Sequence, residues 1–160
     1  KVGTWVTVQA DGSRVKEQYQ AGMLHGLREE YDAQGNRIRF AGYHQGQRHG
    51  QVDEITYRGW EIGTYHHGKL HGEYRLLTED GRLLHQGRYH NGEPDGVHYQ
   101  FADNGRLISR SSYRQGVPHG DWIETNYDGA LVRKTTYDQG QVKTEVILDS
   151  GYGDSTLLWP

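Results

Sequence analysis

Tyrosine and glycine recur in this chain at a fixed spacing, and that spacing limits the fold more than any other feature. Tyr19, Tyr43, Tyr65, Tyr89, Tyr113 and Tyr137 are separated by 24, 22, 24, 24 and 24 residues. Three residues after each tyrosine stands a glycine: Gly22, Gly46, Gly68, Gly92, Gly116 and Gly140. Seven residues after stand Gly26, Gly50, Gly72, Gly96 and Gly120, and sixteen after stand Gly35, Gly59, Gly81, Gly105 and Gly129. The second glycine follows His25, His49, His71 and His119, with Asp95 as the exception. Self-similarity at such a period marks a repeat architecture, in which each unit packs only on its neighbours.

The residues between the glycines predict strands. Val97-His98-Tyr99-Gln100-Phe101 and Leu131-Val132-Arg133-Lys134-Thr135-Thr136-Tyr137 are rich in aromatic and β-branched side chains. Asp-Ala-Gln-Gly at 32–35, Glu-Asp-Gly at 79–81, Asp-Asn-Gly at 103–105 and Tyr-Asp-Gly at 127–129 supply turn residues that accept positive φ. No window has a helical period. The expected fold is all-β: an elongated, single-layer antiparallel meander of β-hairpins, each about 24 residues long.

Composition agrees with a thin sheet. Only 33% of residues are apolar, and 12 Tyr and 4 Trp supply much of that share, too little aliphatic volume for a thick two-layer core. A tyrosine can bury its ring and keep its hydroxyl wet.

The array is expected to fill residues 1–148. It opens with a half unit at 1–18, in which Gly3-Thr4-Trp5 matches Gly120-Asp121-Trp122. Repeats begin at Tyr19, Tyr43, Tyr65, Tyr89 and Tyr113, and the unit from Tyr137 decays, although 143–148 suits a closing strand. Residues 149–160 read as a tail or cap. The unit at 43–64 has lost two residues between Gly59 and Tyr65, which predicts a shorter strand or a bulge there.

The net charge of −3, with no block of Lys or Arg, lacks the footprint of a nucleic-acid binder. No apolar run is long enough to span a membrane as a helix. Cysteine is absent, so disulfides and thiolate metal sites are excluded. The chain begins at Lys1, which leaves room for an upstream signal peptide, anchor or further segment. The compartment stays open, the bacterial periplasm or cell envelope being favoured over the cytoplasm.

The columns resemble those of the MORN repeat family in its bacterial variant form. The resemblance rests on Tyr19-Gln20-Ala21-Gly22-Met23-Leu24-His25-Gly26, on Tyr65-His66-His67-Gly68-Lys69-Leu70-His71-Gly72, and on Tyr113 through Trp122. It covers roughly residues 3–145. It implies a twisted single-layer hairpin sheet. It also implies, for this variant, an immunity or antitoxin protein that neutralises a toxic effector. Other members of the family imply a scaffold or phospholipid-associated protein, for which a basic stripe would be expected.

No nucleophile elbow, HExxH or phosphate-binding loop is present, so neither a catalytic site nor a cofactor is expected. The four histidines that precede a glycine are expected to be structural. Equivalent side chains in adjacent units should lie roughly 10 Å apart, too far to share an ion with bonds of about 2 Å. No metal is expected there or at His66-His67 near His44 and His90. The expected partner is a protein, with membrane contact only through an upstream segment or weak lipid binding. The row two residues after the second glycine is chemically mixed: Trp5, Arg28, Val52, Tyr74, His98 and Trp122. Trp5, Arg28, Tyr74, His98 and Trp122 from this row are the expected partner-binding residues, with Glu30, Glu54 and Glu124 as steering charges on the same face. The row five residues after that glycine (Val8, Tyr31, Ile55, Leu77, Phe101 and Thr125) is more apolar and is expected to be the packed stripe.

Overall fold

A chain that turns back every ten residues or so can pair each strand only with its sequence neighbours, and this is the arrangement found. The structure, a computed structural model, describes residues 1–148, and every regular element among them is a strand. The strands are β1 (Gly3–Val8), β2 (Arg14–Gln20), β3 (Met23–Tyr31), β4 (Arg37–His44), β5 (Gln47–Thr56), β6 (Gly59–His66), β7 (Lys69–Leu77), β8 (Leu83–His90), β9 (Glu93–Pro94), β10 (Gly96–Phe101), β11 (Leu107–Arg114), β12 (Val117–Pro118), β13 (Gly120–Thr125), β14 (Leu131–Asp138) and β15 (Gln141–Ile147). All lie in one antiparallel sheet in chain order; β9 and β12 are the leading pieces of β10 and β13, broken off at Asp95 and His119. The closing strand expected over 143–148 is present as β15. The tail at 149–160 lies outside the described residues.

Two kinds of turn build the two rims of the sheet. On one rim, Ala21, Gln45, His67, Asn91, Gln115 and Gln139 have φ between 48° and 52°, and the glycine after each is also left-handed. Two successive residues of that kind make a type I′ turn, whose twist suits a tight hairpin. These turns are tied to one another: the amides of Gly46, Gly68 and Gly92 donate to the carbonyls of Leu24, Arg48 and Leu70, each at 2.8 Å. On the other rim, five-residue loops at 9–13, 32–36, 78–82, 102–106 and 126–130 close through a hydrogen bond from the first amide to the fifth carbonyl. Asp32, Thr78 and Asn126 hold them with side-chain acceptors for the amides of Asn36, Arg82 and Ala130. Gly35, Gly81, Gly105 and Gly129 adopt positive φ in these loops, as the turn sequences require.

The short unit departs from expectation. Its two missing residues come out of the turn: Thr56 pairs with Gly59 across a two-residue hairpin at Tyr57-Arg58, and β6 keeps eight residues with an unbroken register against β5. Deleting from the loop preserves every cross-strand pair, whereas taking the two residues from the strand would remove pairs from the ladder. Gly59 is therefore a strand residue, held to glycine because a Cβ there would run into the Leu77 carbonyl.

Both faces of a single layer are potentially wet, so the core is a row within one face. Cross-strand pairing aligns Trp5, Glu17, Arg28, Ala41, Val52, Gly63, Tyr74 and Gly87, followed by His98, Ser111, Trp122 and Thr135. Small residues alternate with large ones here. Ala41, Gly63 and Gly87 make room for Val52, Tyr74 and His98, and a Cβ on Gly87 would overlap the His98 ring. Val52 and Tyr74 are 1% and 2% exposed, so this row, expected to be free for recognition, is the packed seam. The row expected to pack carries Val8 and Ile55 exposed and the rest half-buried. Aliphatic character misled because the seam is filled by aromatic rings flanked by the repeat tyrosines.

Candidate functional site

Three surfaces can carry chemistry: the tyrosine face, the face opposite it, and the rim of type I′ turns. On the tyrosine face, β-strand alternation places each repeat tyrosine beside the seam. Tyr74 meets Tyr89 and His85 edge-on with ring centroids 5.7 Å apart, and His98 lies between Tyr89 and Tyr113 at 5.0 and 5.3 Å. The His98 Nε2–H donates to the Arg88 carbonyl at 2.8 Å, which leaves its Nδ1 to accept from His85 Nε2 at 3.2 Å. Burial, with the neighbouring His98 and Arg58 adding to it, lowers His85 to about 4, and burial lowers His98 as well. Burial next to Glu61 raises the Tyr74 hydroxyl, which donates to that carboxylate at 3.3 Å.

Toward the N-terminus the same face becomes ionic. Arg28 pairs with Glu17 and Glu30, and Arg39 also reaches Glu30. Arg48 bridges Glu54 and the buried Glu61 and lies over the Tyr65 ring. The five expected contact residues therefore share a row but not an environment. Tyr74 and His98 are buried, and Arg28 is occupied by two carboxylates. Trp122 packs between Tyr113 and Tyr137 and donates its indole N–H to the Ser112 carbonyl at 2.8 Å. Trp5, near the chain start, is 47% exposed. Glu30 and Glu54, expected to steer a partner, are already neutralised by arginines, and Glu124 lies 4.0 Å from Arg133.

The opposite face is more open. Its central file runs Phe40, Asp53, Ile62, Arg75, Gln86, Tyr99, Arg110 and Ile123. Arg75 and Gln86 are exposed and the others half-buried, and Phe40, Asp53, Ile62, Thr64, Glu73 and Arg75 line a shallow depression.

The rim gives two of the four repeated histidines, His49 and His71, a structural role. His49 Nδ1 accepts the backbone amide of His67 at 3.5 Å, His71 Nδ1 that of Asn91 at 3.4 Å, and Asp95 Oδ1 that of Gln115 at 3.1 Å. At these three positions the column supplies an acceptor for the next left-handed turn, with Asp95 as the carboxylate equivalent. His44, His66 and His90 stand in the gaps between and beside the equivalent histidines of adjacent units. One imidazole from each of β3 to β8 forms a file, His25, His44, His49, His66, His71 and His90, with successive centroids 4.7, 5.6, 5.1, 5.7 and 4.8 Å apart. That is close to the strand spacing itself. His67 adds a seventh ring, and one ring nitrogen from each of His49, His66 and His67 lies within 4.8 Å of the other two. Desolvation and then neighbouring imidazoles lower His44 and His66, and the buried Nδ1 of His44 has no hydrogen-bond partner among the described residues. The signal available in the sequence was that the residue after each tyrosine and the residue before each second glycine flank one tight turn.

The fold and these surfaces define a hairpin-repeat sheet with exposed faces. Compared with protein-family models and with curated proteins, the chain matches none of either.

Proposed function

We propose that this chain is a non-catalytic protein-binding module and, following the resemblance of its repeats, an immunity or antitoxin protein that binds and neutralises a toxic effector. The observation that carries the reading is the open file on the face opposite the tyrosines. Two aromatic, two aliphatic and two arginine side chains, with Asp53 and Gln86 among them, line it over eight strands, around the depression lined by Phe40, Ile62 and Arg75. Arginine and aromatic residues are the side chains enriched at binding hot spots. The tyrosine face is less suited, since its large side chains are spent on the seam and on internal ion pairs.

The test is capture of the partner from the source cell, identification by mass spectrometry, and co-expression with the isolated partner. Rescue of growth that is lost in an Arg75→Glu, Tyr99→Ala double variant with an unchanged circular dichroism spectrum supports the reading. A captured protein that is harmless on its own overturns the immunity assignment, and sedimentation with anionic vesicles in place of any protein partner favours the phospholipid-associated alternative.

A further inference from the structure

We propose that His49, His66 and His67 form a binding site for one borderline divalent transition-metal ion of the zinc type, on the rim of type I′ turns. The inference is independent of the partner-binding reading.

The geometry is specific to this place in the array. Three imidazole nitrogens within 4.8 Å of one another need only small side-chain rotations to reach the spacing of about 3.4 Å that tetrahedral bonds of about 2.0–2.1 Å impose. His49 comes from β5, His66 ends β6, and His67 is the left-handed residue of the turn after β6, so the ion would join two adjacent repeats. The His49 Nδ1 accepts the His67 amide at 3.5 Å, a long contact that holds the ring beside the turn and that the ion would replace, since an imidazole whose Nδ1 accepts carries its proton on Nε2. His66 and His67 are exposed, so an ion has an entry path and a water can complete the coordination. Imidazole donors without thiolate or a paired carboxylate suit zinc, nickel or copper and disfavour calcium and magnesium. No other group of three such donors meets the same spacing among the described residues. His67 makes the difference: Ala21, Gln45, Asn91, Gln115 and Gln139 hold the equivalent turn position elsewhere.

Those equivalents also supply gentle variants. His66→Gln installs the residue native at position 20, His67→Asn the residue native at 91, and His49→Asn keeps an acceptor for the next turn amide. Titration calorimetry of the tag-free chain with zinc chloride, with cobalt(II) visible absorption as the coordination readout, should show one ion per chain at micromolar affinity or tighter. Each single variant should weaken binding at least about tenfold, the triple variant should abolish it, and His90→Gln should leave it unchanged. All should keep the parental circular dichroism spectrum. Absence of saturable binding to the parent, or binding that survives in the folded triple variant, overturns the proposal.

Discussion

Asp95 accepts the backbone amide of Gln115 at 3.1 Å, and in doing so repeats with a carboxylate what His71 does for Asn91 with an imidazole. A residue that breaks a sequence column thus preserves its hydrogen bond. At His49, His71 and Asp95 the column keeps an acceptor for the amide of the next left-handed turn residue.

His71→Ala should therefore destabilise the sheet by about 1 kcal/mol through an unmet turn amide, while His71→Asp should lie close to the parent. Urea melts of the two variants check this. Equal losses from Ala and Asp would show that the ring's packing matters and its nitrogen does not.

Gly87 faces His98 across the seam, and a methyl group there would overlap the imidazole. Gly87→Ala should cost about 1–3 kcal/mol, the range for overpacking a filled site. Adding His98→Ala should recover part of that cost, because the second change removes what the first collides with. A double-mutant cycle with no coupling would refute the close approach.

Gly105 isolates backbone strain from crowding. Its φ is 82°, and nothing lies within 4 Å of where a Cβ would stand. Gly105→Val should cost at least about 1 kcal/mol, and Gly105→Asn much less, since asparagine tolerates the left-handed region. Thermal midpoints that do not separate the two variants would count against the loop conformation.

Acid should weaken the fold through His85. Its value falls from 6.5 to about 4 on folding, so between those limits the unfolded chain binds more protons than the folded one. Stability is then fully present above pH 6.5, declines as pH falls, and has lost this contribution below about pH 4. His98, also lowered, acts in the same direction. His85→Gln should flatten the dependence of the melting midpoint on pH over this window, and an unchanged slope would show that other groups dominate it.

The repeat spacing and the turn sequences determined the all-β meander, the left-handed glycines at 35, 81, 105 and 129, and the closing strand. Each of these follows from local chemistry: a turn needs particular φ values, and a strand of eight or so residues must pair with its sequence neighbours when the connections are tight. Tertiary structure alone decided which row packs. Apolar character named the Val8, Ile55 and Leu77 row, yet burial went to Val52, Tyr74 and His98, because glycine and alanine on the partner strands leave space there that large rings fill. It also decided that histidines far apart in the sequence stand one strand apart on a single rim. That proximity depends on the register of neighbouring hairpins, which no single repeat contains.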